Sequence, residues 1–293
     1  MEKVTSPVFI IGGSRTGSEM LKTMLSASPQ LDFVDELFLY CPRWLHTDLA
    51  TNIHKHVGQL NDPGANRKLS DLLFSGVPYG WFWQNVDSQL DRQMLEHELA
   101  DKKLNMRELF SSIMYVHSRR NKKTGFGAKF PMHYSYTDKL LEWYPDCKLI
   151  HTTRNPKAVY ASQAAKYQQK ALTAVRKRFL RFQHFVHINI QTAWTAHIHK
   201  KFAGLENYTL VRYEDTVLKP RQQILDLCEF LGVDFLENML EPKQYGSSFE
   251  KIKNNKGVSR SSLERYRDDT SKFTQTLMDI IHSRAYRRLG YDR

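Results

Sequence analysis

Short runs of β-branched and aromatic residues alternate along the chain with longer stretches of helical periodicity. Val8-Phe9-Ile10-Ile11 predicts a first strand, followed by the turn Gly12-Gly13-Ser14 and a helix carrying Met20, Leu21, Met24 and Leu25 on one side. A second strand is predicted at Leu31-Asp32-Phe33-Val34, after the turn at Ser28-Pro29. Gly127-Ala128-Lys129-Phe130 and Lys148-Leu149-Ile150-His151-Thr152 predict two more, with a helix around Leu140-Leu141 between them. Tyr208 to Tyr213 is a further strand, and Ile224 to Leu231 a helix that Gly232 closes. Such alternation implies an α/β fold, a central parallel sheet with helices on both faces. Pro42 to His117 lacks strand patterns and reads as a mostly helical insertion. Tyr167 to Lys201 has helical periodicity without Pro or Gly, so one long helix or two abutting ones are expected there.

Length and composition fit one globular unit over residues 1–293, with residues 41–126 as the inserted part. Of 293 residues, 41% are hydrophobic and 25% charged, which excludes a fibre or a disordered tail. No apolar run nears the roughly 18 residues of a membrane-spanning helix, and the N-terminus reads as a strand and not a signal peptide. Three cysteines, Cys41, Cys147 and Cys228, show no C-x-x-C spacing. A disulfide framework is therefore not expected, and a cytoplasmic location is. The 43 Lys and Arg exceed the 31 Asp and Glu by 12. They cluster at Arg119-Arg120-Asn121-Lys122-Lys123, at Arg176-Lys177-Arg178 with Arg181, and at Arg284 with Arg287-Arg288. Nucleic acid, an acidic membrane surface or a polyanionic small ligand would each suit these clusters.

The segment PVFIIGGSRTGSEML, residues 7–21, carries the most chemistry. A buried strand enters a glycine-containing turn and then an amphipathic helix, so backbone N–H groups and the helix dipole converge where an anion would sit. Arg15 adds a full positive charge, Thr16 and Ser18 add hydroxyls, and Gly17 permits close approach of the backbone. A nucleotide-kinase loop would need Gly-Lys-[Ser/Thr], but Gly17 is followed by Ser18 and Glu19. No G-x-G-x-x-G is present either. In KLIHTTRNPKAVYAS, residues 148–162, Arg154 stands at a strand end, Pro156 starts a helix, and Ser162 lies about two turns along it. Arg154 and Ser162 can converge on one anion, and two such junctions suit a ligand with phosphates at both ends.

These residues resemble the sulfotransferase family that uses 3′-phosphoadenosine 5′-phosphosulfate (PAPS). GGSRTGSEML resembles its 5′-phosphosulfate loop and RNPKAVYAS its 3′-phosphate motif. VRYEDTVLKPRQQILDLCEFLGV, residues 211–233, and the ending RRLGY are similar to later family segments. The resemblance runs through residues 7–40 and 127–291. It implies a P-loop-like sulfotransferase fold and a transferase that moves a sulfuryl group to an acceptor hydroxyl or amine without a metal. It also implies that Gly13, Ser14, Arg15, Thr16, Gly17 and Ser18, with Glu19, form the 5′-phosphosulfate end, and that Arg154 and Ser162 hold the 3′-phosphate. Tyr213 and Glu214 match a Y-E-D segment, and Lys256, Gly257 and Arg260 a loop that closes over the donor, with Arg265-Tyr266 after it.

For the chemistry, the resemblance implies Arg15 and Lys129, in Lys129-Phe130-Pro131, as cations near the leaving oxygen. Glu36, in Asp35-Glu36-Leu37-Phe38, is the lead general base, with His133 in reserve and Asp35 as rival. Glu19 departs from the family's Thr or Ser. A carboxylate there repels the donor unless it turns away or is neutralised by Arg15 or a lysine; it could instead face the acceptor or mark an inactive relative. The pairs His54/His56, His184/His187 and His197/His199 lack metal-site spacing. The alternatives are a non-catalytic polyanion- or nucleotide-binding protein of the same fold and a P-loop kinase. The acceptor, a carbohydrate, a lipid or another small hydroxyl compound, is expected to meet residues 41–126.

Overall fold

The computed structural model describes residues 6–35, 39–40, 48–75, 86–168, 173–242, 260, 263–264 and 266–291. β1 (Val8–Gly12) leads into α1 (Ser18–Ser26) and β2 (Phe33–Asp35). The expected helical stretch follows as α2 (Leu49–His56), α3 (Ala65–Phe74), α4 (Val86–Gln89), α5 (Arg92–Leu99) and α6 (Met106–Arg120). Next come β3 (Gly127–Lys129), a 3-10 turn (Pro131–Tyr136), α7 (Thr137–Trp143), β4 (Lys148–Thr153), α8 (Pro156–Gln168) and α9 (Ala174–Phe202). The chain continues through β5 (Tyr208–Arg212), α10 (Tyr213–Leu218), α11 (Pro220–Leu231), α12 (Tyr266–Asp269) and α13 (Lys272–Leu289). The span expected to be helical from Tyr167 is thus shared between α8 and α9. Tyr213, expected to end a strand, instead opens α10.

All five strands are parallel, in the order β2-β3-β1-β4-β5. β1 lies at the centre and is buried throughout, as its uninterrupted apolar sequence requires. Its side chains alternate between two faces. Val8 and Ile10 pack with Leu21 and Leu25 of α1 and Ile224 and Leu227 of α11. Phe9 and Ile11 pack on the other face with Leu69, Leu95, Phe110 and Ile113 of the helices between β2 and β3. Parallel pairing brings every strand's carboxyl end to one edge. From β1 the chain goes to β2 on one side, and after β3 it crosses to β4 on the other. The crevice beside the end of β1 therefore lies where the connections diverge, the usual place for a ligand in an open α/β sheet. No helix among the described residues is long and apolar enough to cross a membrane.

Candidate active site

The β1–α1 loop holds backbone conformations that its sequence makes possible. Gly12 has φ +143°, and a Cβ there would lie 2.4 Å from the Thr152 carbonyl oxygen on β4. Gly17 has φ +88°, and its Cβ would lie 2.4 Å from Cδ2 of Tyr213. Between them Arg15 adopts φ +67°, a left-handed conformation that costs a non-glycine residue about 1–2 kcal/mol. The surroundings hold it there. The Ser14 N–H donates to Oε1 of Gln191 at 3.0 Å, and Nε2 of Gln191 donates back to the Ser14 carbonyl at 3.2 Å. Gln163 donates to Oγ of Ser14 at 3.2 Å. The Thr16 hydroxyl donates to the Gly13 carbonyl at 2.8 Å and lies 2.7 Å from that of Thr152. Thr16 thus braces the loop from within. Among the described residues no side chain caps the N-terminus of α1. Its first-turn amides and dipole point to the crevice, where an anion is favoured.

The second junction meets the first. Asn155 caps α8 by accepting from the Lys157 N–H at 2.9 Å, and its own N–H donates to Glu214 at 2.9 Å. The Tyr291 hydroxyl donates to the other Glu214 oxygen at 3.0 Å. So anchored, the loop places the Arg154 guanidinium 4.2 Å above the Tyr213 ring, the ring that also closes on Gly17. Nη1 of Arg154 reaches the Arg15 carbonyl at 3.5 Å, and Nε of Arg15 donates to Oγ of Ser162 at 2.9 Å. Residues 147 positions apart in sequence are in direct contact.

Beside this pair lies a ring of four charges. The Glu19 carboxylate accepts from Lys22 at 2.8 Å and from Lys129 at 2.8 Å. Asp35 accepts from the same two ammonium groups, Lys22 at 2.7 Å and Lys129 at 2.5 Å. Each lysine bridges two carboxylates and each carboxylate bridges two lysines, so the ring is neutral. Lys129 is only 2% exposed, and without these carboxylates its charge would be buried alone. Burial raises the pKa of the Asp35 carboxyl, but Lys129 and Lys22 outweigh it and hold the group below the usual carboxylate range. For Lys22 burial works downward, and Asp35 and Glu19 reverse it, so its pKa is raised. Of the alternatives open for Glu19, neutralisation by lysine is the one observed.

Residues 7–237, most of the chain, match the sulfotransferase family. The chain belongs to that family. Solved sulfotransferase structures also share its fold. The sulfotransferase domain of the Synechococcus PCC 7002 olefin synthase is 19% identical at a TM-score of 0.59, the match covering 100% of this chain and 97% of that one. The sulfotransferase domain from the curacin biosynthetic pathway is 17% identical at 0.59, covering 99% of each chain. A sulfotransferase from Mycobacterium avium is 14% identical at 0.53, covering 99% of this chain and 78% of that one. At these identities the likeness is one of fold. A search of the curated proteins finds no match.

Within this sulfotransferase the structure gathers Gly13, Ser14, Arg15, Thr16, Gly17, Ser18, Glu19, Lys129, Arg154, Ser162 and Tyr213 around the carboxyl ends of β1, β3 and β4. His133 is placed differently from a residue that meets an acceptor. It is 1% exposed, packs against Phe130 with ring centroids 4.3 Å apart, and accepts from the Tyr40 N–H at 3.5 Å through Nε2. Burial pushes its pKa down to about 3, so the ring is neutral and enclosed. That geometry does not favour His133, the reserve candidate, over Glu36. Arg260 is described and exposed. Glu36, Lys256, Gly257 and Arg265 lie outside the described residues. Three contributors escaped the sequence reading: Lys22, Gln163 and Gln191. Only Lys22 had a local signal, its i,i+3 spacing from Glu19. Among the described residues no group of His, Cys, Asp and Glu could hold a metal.

Proposed function

We propose that this sulfotransferase moves the sulfuryl group of PAPS to an acceptor hydroxyl or amine by in-line displacement. The observation that carries the reading is the Arg15–Ser162 contact, which joins two anion-binding junctions into one crevice. Their donors suit a ligand with anionic groups at both ends. On the first junction are the uncapped start of α1, Arg15 and Ser18; on the second are Arg154 and Ser162. Gly17 fits such a ligand as well, since its missing side chain leaves room for both the loop and the Tyr213 ring.

In the reaction PAPS supplies a sulfur that the acceptor attacks, while the bond from sulfur to the bridging oxygen breaks and adenosine 3′,5′-bisphosphate departs with the electron pair. The chain's own task is positioning and charge stabilisation, as in phosphoryl transfer. Arg15 is assigned the charge on the departing oxygen. Lys129, held by two carboxylates, orients the wall beside it and shares its charge with Glu19 and Asp35. Glu36 is assigned the acceptor's proton, because Asp35 is engaged by both lysines and His133 is enclosed. The acceptor is a carbohydrate, a lipid or another small hydroxyl compound.

Ligand binding tests this reading. Arg154→Ala and Ser162→Ala should each weaken adenosine 3′,5′-bisphosphate by about 1.5–3 kcal/mol, the worth of a charge-assisted contact, and adenosine 5′-phosphate far less. Calorimetry with both nucleotides reads the difference. Equal losses for the two would place Arg154 and Ser162 on the wrong phosphate, and no binding of the bisphosphate by the unaltered protein would end the proposal.

A further inference from the structure

The long helix α9 has two unlike sides. Ile188, Gln191, Thr192 and Thr195 are buried, and α9 packs along α8 and α13. Ile188 shares a cluster with Val159 of α8 and Met278 of α13, and Ala196 one with Ala285 and Leu289. On the opposite side Val175, Phe179, Phe182, Val186, Ile190 and Trp194 recur at intervals of three or four residues, the spacing of one helical face. They are exposed: Val175 by 81%, Phe179 by 59%, Phe182 by 65% and Ile190 by 64%. The stripe covers roughly 28 Å of helix at 1.5 Å per residue. An exposed apolar face of that size marks an interaction surface.

Charge decides what it meets. From Ala174 to Phe202 the helix has no Asp or Glu, while Arg176, Lys177, Arg178, Arg181, Lys200 and Lys201 are all basic. At 3.6 residues per turn, Arg176 and Arg178 fall on the two borders of the apolar stripe, and both are exposed. Pairing two copies of α9 would set basic against basic in either orientation, since its first turns carry arginines and its last turns lysines. No register of the helix with itself offers an ion pair. A nucleic-acid groove would need the cations at the centre of the contact, where this face is apolar. Aromatic and aliphatic side chains in the middle, with arginines at the rim, are the layout of a helix lying in a membrane interface.

We propose that the outward face of α9 seats this protein on an anionic lipid bilayer, with the apolar stripe entering the acyl boundary and Arg176 and Arg178 meeting headgroup phosphates and carboxylates. The inference is independent of the donor and acceptor assigned above. Flotation of the full chain with phosphatidylcholine–phosphatidylserine vesicles tests it, with pure phosphatidylcholine vesicles alongside. The protein should float with the anionic vesicles, do so less at high salt, and stay behind with the neutral ones. Arg176→Gln with Arg178→Gln should weaken binding about twenty-five-fold, each cation near the surface contributing about fivefold. Phe179→Ser with Phe182→Ser should weaken it by about tenfold or more. These are exposed side chains outside the candidate site, so circular dichroism and nucleotide binding should match the unaltered protein. Four results would overturn the proposal: no flotation; equal flotation with and without phosphatidylserine; a dimer in sedimentation that the Phe pair dissolves; or salt-sensitive binding of single-stranded DNA without vesicle binding.

Discussion

Asp35→Asn preserves the shape of its side chain and deletes its charge, and the four-charge ring sets the consequence. Two ammonium groups then share the single carboxylate of Glu19, and the site carries a net positive charge. Lys129 cannot turn to water, being 2% exposed. Breaking a buried pair costs about 3–5 kcal/mol. Asp35 and Glu19 are about a third exposed, and solvent screening lowers the figure, so about 2–3 kcal/mol is expected. Lys129→Met should cost a similar amount by leaving two carboxylates on Lys22. The double variant leaves Glu19 paired with Lys22 at 2.8 Å, again neutral. Its loss should therefore fall short of the sum of the singles by about 1.5–3 kcal/mol. Urea unfolding of the four proteins near neutral pH measures this cycle. Additivity to within about 0.5 kcal/mol would refute the argument that the charges act as one ring.

The pH dependence has a fixed sign. The Asp35 carboxyl has a lower pKa folded than unfolded, where it is about 3.9. Its contribution is complete above that value and disappears as pH falls through the folded one. The gap in stability between the unaltered protein and Asp35→Asn should be constant near neutrality and close in acid.

Gly17→Ala should destabilise the chain by about 1–2 kcal/mol for its φ of +88° and by more for the contact with Tyr213, with a matching loss of adenosine 3′,5′-bisphosphate affinity. Adding Tyr213→Ala should return only the contact part of the stability, and native-like melting of Gly17→Ala would count against the Tyr213–Gly17 packing. Glu36→Gln should slow turnover by about 10²–10⁴-fold with bisphosphate affinity unchanged, while His133→Phe keeps near-normal turnover. The reverse pattern, read from initial rates and calorimetry, would move the base to His133.

What was legible in the sequence was local. β1, the glycines of its loop and the helix after it are specified within one continuous stretch, Val8 to Ser26. A φ of +88° beside an aromatic ring requires glycine wherever the ring comes from. Arg154 and Ser162 were legible for the same reason, being a strand end and the helix it starts. The clamps were not legible. Gln191 holds Ser14 from 177 residues away, and one glutamine among the other polar residues of α9, such as Gln183, Asn189 and Thr192, carries no mark of its partner. Strand limits shifted by one or two residues: β2 starts at Phe33 and not Leu31, and β5 ends at Arg212. Tyr213 turns into α10, and Arg212 before it forms a two-point ion pair with Asp215 at 2.6 and 2.9 Å.

Glu19 shows how a local departure is absorbed by distant residues. Taken alone, a carboxylate in the first turn of α1 suits the helix dipole and opposes an anionic ligand. Lys22, one turn along, offsets it, but Lys22 also reaches Asp35, and Asp35 would then leave Lys129 balanced between two acids. Sheet register makes the closure possible: β3 pairs Lys129 with Ile10 on one side and Asp35 on the other, so the three strand ends and α1 share one corner. The charge of Lys129 is thereby committed before any ligand arrives. A departing oxygen beside it gains a well-fixed donor and little net field. The electrostatic part of the proposed chemistry therefore falls to Arg15, whose strained backbone is held by Gln191 and whose Nε is already directed to Ser162.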